Sequence, residues 1–188
     1  NHFKWPSWLE INNHDINKIL AEKIENLRNV QGKIDLVAGG PPCQGFSVFG
    51  KRRFVNTQGY DPKQDPRNHL VYEYIRIVSI LKPKFFFMEN VKGFTNLDNG
   101  LFVEEVKKQF RDLGYHNIWC EIVRATDYGV PQERQRMFMI GNRLGIDFTK
   151  PNPTHYPIGS GKEPEYATVG DAIMDLVGKE NQIPNHVP

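Results

Sequence analysis

The chain has 188 residues, of which 39% are hydrophobic and 24% charged, the proportions of an ordinary soluble globular protein. A formal charge of +2 permits nucleic-acid binding without arguing for it, and no apolar run approaches the ~20 residues of a membrane span. The two cysteines, Cys43 and Cys120, lie far apart and form neither a CxxC pair nor a zinc-ligand spacing, so a reduced cytosolic chain without a metal site is expected. Asn1 in place of Met, and an ending at Ile183-Pro184-Asn185-His186-Val187-Pro188, suggest a piece of a longer protein.

In chain order, Ile16, Ile19, Leu20, Ile24 and Leu27 recur at helical spacing, which predicts a helix from Asp15 to Arg28 ended by Gly32. Ile34-Asp35-Leu36-Val37-Ala38 reads as a buried strand. A loop rich in Gly, Pro and basic residues follows to about Asp65. Leu70, Tyr74, Ile77, Val78 and Leu81 share a helical face that must end before Pro83, and Phe85-Phe86-Phe87-Met88 reads as a second buried strand. Asn99-Gly100 precedes an amphipathic helix from Leu101 to Leu113, stopped by Gly114. Tyr115 to Arg124 and Arg136 to Asn142 read as strands joined by a turn with Gly129 and Pro131. From Arg143 to Pro164 the chain turns Pro- and Gly-rich like a linker, and a short helix returns from Val169 to Leu176. Helices alternating with buried strands predict a doubly wound, mostly parallel α/β sheet. Its ligands would bind beyond the carboxyl ends of the strands, after Ala38 and after Met88. The expected division is a catalytic core over 1–145 and a linker over 146–188 leading into a further domain.

Three segments carry potential chemistry. Gly39-Gly40-Pro41-Pro42-Cys43-Gln44-Gly45-Phe46-Ser47 leaves the first strand, with Lys51, Arg52 and Arg53 close behind. An electropositive, partly exposed setting would make Cys43 a nucleophilic thiolate; the alternative is a small buried hydrophobe. Glu89, directly after four apolar residues, is either a solvated strand end or a carboxyl held in a desolvated pocket. Arg134 and Arg136, two apart at a strand start, share a face as a solvated edge or as a clamp for phosphate or carbonyl oxygens.

In this order, Pro42-Cys43-Gln44, Glu89-Asn90-Val91 and Gln132-Glu133-Arg134-Gln135-Arg136 resemble the DNA cytosine-5 methyltransferase family, in its bacterial modification form. The resemblance runs from about Asp15 to Asn142. It implies methyl transfer from S-adenosylmethionine to C5 of cytosine in double-stranded DNA, with the S-adenosylmethionine-dependent methyltransferase fold in partial form. It further implies that Cys43 adds to C6 of the ring, which turns C5 into an enamine carbon. Glu89 would be the acid at N3, kept protonated by apolar surroundings. Arg136 would hold the O2 carbonyl, with Arg134 bracing the loop or holding a phosphate.

A stacked base is out of reach, so the cytosine must swing out of the duplex. Gln44, Ser47, Lys51, Arg52 and Arg53 would then meet the nucleic acid; a solvated basic loop is the plainer reading of the last three. Asp15 and Ile16 stand where the family binds the donor's adenine, although an Asp there is also a plain helix N-cap. Pro42 and Leu70 match donor-pocket positions. The family's opening Phe-x-Gly-x-Gly loop and its target-recognition domain are not seen in the sequence, so the isolated chain is expected to bind the donor weakly or not at all.

A tRNA cytosine-5 methyltransferase, a non-catalytic nucleic-acid-binding protein and an unrelated thiol hydrolase are the rivals. A restriction endonuclease acting on the same site would be a partner, and neither a membrane nor a metal is expected.

Overall fold

The computed structural model describes residues 6–42 and 69–177. They form two compact units, one of 1–120 with 137–148 and one of 121–136 with 149–188.

In the first unit the helix expected from Asp15 to Arg28 is two helices, α1 (Ile16–Glu22) and α2 (Ile24–Asn29). The break falls at Lys23, whose φ of −120° and ψ of 16° are non-helical. Its N–H still closes α1 on the Ile19 carbonyl, and its own carbonyl opens α2 by accepting from Leu27. No Pro or Gly marks that position, so the apolar stripe runs through it without a signal. Leu20 and Leu27 stay buried together, against Leu81.

Strand β1 (Leu36–Gly39) pairs in parallel with β2 (Phe85–Val91), Leu36 opposite Phe85 and Gly39 opposite Met88. The expectation that β1 is buried on both faces is not met: it alternates exposed and half-buried residues, and Leu36 is 53% exposed. Among the described residues β1 is the outer strand of the order β1-β2-β4-β3, so one edge and part of one face lack a covering layer. In β2, Phe86, Met88 and Asn90 point into the core while Phe85, Phe87, Glu89 and Val91 are half-buried.

Helix α3 (His69–Leu81) buries Val71, Tyr74, Ile75, Val78 and Leu81. Leu70 and Ile77, expected on that face, are half-buried at its margins. A 3-10 stretch, Lys92–Gly100, buries Phe94 and Leu97. It then turns through Asp98, Asn99 and Gly100, all at positive φ, into α4 (Leu101–Asp112), which Gly114 ends in the left-handed region. Helix α4 contributes Val103, Val106 and Phe110 to the core. There Phe86 stacks on Phe110 with ring centroids 3.9 Å apart and meets Tyr115 edge-on at 5.2 Å. Cys120 packs on this core as a small hydrophobe.

Strands β3 (Asn117–Arg124) and β4 (Gln135–Asn142) are neighbours. The connection between them is too short for the crossover a parallel pair requires, so they form a hairpin. At the end of β4, buried Asn142 closes the turn that follows: its side-chain nitrogen donates to the Ile146 carbonyl at 2.6 Å and its oxygen accepts from the N–H groups of Leu144 and Ile146.

The second unit is built differently. The 3-10 turn Ala125–Tyr128 heads the connection between β3 and β4, and the stretch read as a linker folds onto it. The Asp127 carbonyl accepts from Thr154 and His155, and the Tyr128 hydroxyl donates to the Pro151 carbonyl at 2.8 Å. Near the chain end Thr168 and Asp171 form a reciprocal capping box at the start of α5 (Val169–Ile173), and a 3-10 turn, Met174–Leu176, continues it. No helix of the described residues is long and apolar enough to cross a membrane.

Candidate active site

Parallel pairing sends the chain out of β1 and β2 at the same end of the sheet, where the two loops of interest begin. The exit from β1 is Gly39-Gly40-Pro41-Pro42. A Cβ on Gly39 would stand 2.7 Å from Cε2 of Tyr74, and one on Gly40 would stand 3.3 Å from Oε2 of Glu89. Glycine at both positions therefore lets an aromatic ring and a carboxylate lie directly against the backbone.

Tyr74 reaches this point from α3. Its hydroxyl donates to the Phe87 carbonyl at 2.8 Å and lies 3.1 Å from the Val37 carbonyl, so it bridges the two paired strands. Burial holds that phenol protonated, far above the usual tyrosine range. Next to Glu89, Asn90 is 4% exposed, and its side-chain amide donates to the Pro41 carbonyl at 2.9 Å. The Asn90 oxygen accepts from the Val91 N–H at 3.0 Å. Asn90 thus ties the loop leaving β1 to the strand that carries Glu89, and a buried amide must find such partners. Glu89 itself is half-buried, with its carboxylate against Gly40.

Cys43, Gln44, Ser47, Lys51, Arg52 and Arg53 lie outside the described residues. Pro41 is buried, while Pro42, expected at the donor pocket, is exposed. Leu70 is half-buried at the start of α3. Asp15 is an exposed N-cap whose carboxylate accepts from the Asn17 N–H at 2.8 Å. It also lines an open cavity of about 660 Å³ together with Trp8, Glu10, His14 and Lys18, a volume within the usual range for small-molecule sites. Ile16 packs against the Leu20–Leu27–Leu81 cluster; neither it nor Pro42 nor Leu70 is among the residues lining that cavity.

In the second unit Arg134 is exposed just before β4, and its carbonyl accepts from the Ala125 N–H at 2.8 Å to close the turn. Arg136 is half-buried within β4, and its Nη1 donates to the Gln135 carbonyl at 2.8 Å.

Sequence reasoning missed Tyr74 and Asn90 as parts of the site. For Asn90 the signal was present: an amide ending an apolar strand has to be satisfied by something nearby. For Tyr74 the helical pattern told only that it faced inward.

In an open α/β sheet ligands bind beyond the carboxyl ends of the strands, and that is where the Gly-Gly-Pro-Pro exit lies beside Glu89. The comparison with known families makes this specific. Residues 3–186 match the C-5 cytosine-specific DNA methylase family, and the chain belongs to it. It is 42% identical to Type II methyltransferase M1.HphI of Haemophilus parahaemolyticus over 160 residues, which are 82% of this chain and 38% of that protein. It is 39% identical over 183 residues to Type II methyltransferase M.AquIA of Picosynechococcus sp., covering 86% of this chain and 68% of that one. Among solved structures, a putative DNA modification methyltransferase encoded within a prophage of E. coli superposes with a TM-score of 0.58 at 30% identity. That match covers 85% of this chain and 40% of the other. The chain therefore spans well under half the length of the first of these relatives.

Proposed function

We propose that the full protein transfers a methyl group to C5 of cytosine in double-stranded DNA, with Cys43 as the nucleophile and S-adenosylmethionine as the donor. The observation that carries this reading is the pair of contacts joining the exit of β1 to β2: Glu89 against Gly40 and Asn90 on Pro41. They tie Gly40 and Pro41, which precede Cys43 in sequence, to the strand that carries Glu89.

The Cys43 thiolate forms a bond to C6, and the electron pair displaced from the C5–C6 double bond moves toward N3 and O2. Glu89 supplies a proton to N3, and Arg136 donates hydrogen bonds to O2, so that negative charge does not build up on the ring. Arg134 braces the turn or holds a backbone phosphate. The enamine carbon C5 then takes the methyl group; a base removes its proton, the sulfur leaves C6 and the N3 proton returns to Glu89. The cytosine swings out of the duplex to meet these groups, with Gln44, Ser47, Lys51, Arg52 and Arg53 on the nucleic acid.

When bound, S-adenosylmethionine supplies a methyl group made electrophilic by its sulfonium. Asp15, Ile16, Pro42 and Leu70 would hold it. The open cavity at Asp15 has a volume that would admit an adenosine-sized group; Ile16, Pro42 and Leu70 do not line it, and their assignment rests on the family resemblance. A restriction endonuclease recognising the same sequence is the partner this reading expects.

A fluorine at C5 cannot leave as a proton, so the adduct stalls. Full-length protein incubated with fluorocytosine DNA and donor should give a complex that survives denaturing electrophoresis, and Cys43→Ala should give none. No adduct from the wild type, or an adduct that persists in Cys43→Ala, overturns the proposal. Trapping on tRNA in place of DNA would move the substrate and keep the chemistry.

A further inference from the structure

We infer that Asp127 and Tyr166 are a positioning pair, whose hydrogen bond sets the turn that delivers Arg134 and Arg136. The inference rests on the function proposed above for those arginines.

Asp127 is the meeting point of the second unit. Its carbonyl accepts from Thr154 at 2.8 Å and His155 at 3.1 Å, and its Oδ1 accepts from the Tyr166 hydroxyl at 2.6 Å. The carboxylate holds the phenol proton and raises Tyr166 above the usual tyrosine range. The residues that follow are held by the same strap. Tyr128 donates to the Pro151 carbonyl, and Gly129, at φ +79°, lies so close to the His155 ring that a Cβ there would stand 2.5 Å from Cε1.

Tyr166 does not dangle. Its N–H donates to the Tyr156 carbonyl at 2.8 Å, and the Tyr156 N–H donates to the Pro164 carbonyl at 2.9 Å. A stapled strap thus presents the phenol to the turn. On the other side of that turn, Ala125 donates to the Arg134 carbonyl and Val130 to the Ala125 carbonyl. The route from Tyr166 to the arginine backbone therefore runs across the bond to Asp127, along the backbone from Asp127 through Thr126 to Ala125, and across one further hydrogen bond to the Arg134 carbonyl.

Thr126 is the sole buried residue among the described residues of this unit, so little buried packing helps to fix the turn. Its geometry is left to hydrogen bonds, and the one between phenol and carboxylate is the charge-assisted kind that is strongest.

The test uses the full protein, measuring methyl transfer to cytosine DNA and, separately, amide hydrogen exchange at Ala125 and Val130. Tyr166→Phe should lower kcat about tenfold or more while KM for S-adenosylmethionine stays within about twofold, since small displacements of a charge-stabilising group cost rate rather than donor binding. Asp127→Asn keeps an acceptor oxygen and should retain activity within about threefold, whereas Asp127→Ala should match Tyr166→Phe, and the double variant should be no worse than either. Exchange at Ala125 and Val130 should quicken about tenfold in Tyr166→Phe. A kcat within twofold of wild type, or Asn as damaging as Ala, overturns the inference. Should the wild type show neither transfer nor adduct, the functional reading falls and exchange still decides the pair: faster exchange upholds it and unchanged exchange overturns it.

Discussion

The two units hold themselves together by different means. The first has an aromatic interior in which Phe86, Phe110 and Tyr115 meet ring to ring, walled by Val71, Val78, Met88, Met137 and Met139. The second, in its described residues, has no such interior; Asp127, Tyr128, Gly129, His155 and Tyr166 hold one another through hydrogen bonds and close backbone approach. The contrast follows from sequence. Residues 69–113 place apolar side chains at helical and strand periods, whereas 149–168 is rich in Pro, Gly and polar groups and cannot bury a comparable surface. A packed interior tolerates the loss of one polar contact. A hydrogen-bonded strap does not, because each bond also fixes geometry.

The largest expected effect comes from emptying the interior. Phe110→Ala removes a ring stacked on Phe86 and should cost about 3–5 kcal/mol, read as a lower urea midpoint with the slope retained. A loss under about 1 kcal/mol would mean that the first unit is not held by that interior. Next in size is Asn90→Ala, which strands the Pro41 carbonyl and should cost about 1–3 kcal/mol, together with a fall in methyl transfer larger than a comparable core truncation produces. Equal losses from both variants would argue that Asn90 only fills space.

Gly129→Ala probes the second unit. The left-handed backbone alone costs about 1–2 kcal/mol for an L-residue, and the His155 ring must also move. Faster proteolysis within 149–168 is expected, with the thermal midpoint of the aromatic core little changed; a single joint transition that drops as a whole would break the comparison.

The smallest effect is one of pH. Burial lifts the Tyr115 phenol to about 12, above its unfolded value of about 10. The unfolded chain therefore gives up its proton first. Stability is intact below about pH 10 and falls as pH rises through 12, by at most about 1.4 kcal/mol per pH unit for this one group. Tyr115→Phe should flatten that alkaline slope in denaturation curves taken at several pH values; an unchanged slope would assign the loss to other groups, such as the buried Tyr74.

Much of this was legible without coordinates. The α3, α4, β3 and β4 patterns predicted elements that form within a residue or two of their expected bounds, β2 runs three residues past its expected end at Met88, and the three ordered motifs pointed to the family that the comparison shows. The kink at Lys23 escaped because no breaker residue signals it. The half-exposed β1 escaped because an apolar run tells what a strand can bury and says nothing of which neighbours cover it. The stretch from Arg143 to Pro164, read as a linker, folds back on Asp127 through bonds to residues more than twenty positions away.

Sequence alone determined the local periods, the punctuating glycines and the identity and order of the candidate site residues, because each of these is a property of neighbouring residues. Only the tertiary structure decided that Tyr74 bridges the two paired strands, that Asn90 holds the Pro41 carbonyl and that Tyr166 meets Asp127. The physical reason is that a polar group's partner is chosen by which distant segments packing brings within about 3 Å, and that choice belongs to the fold as a whole.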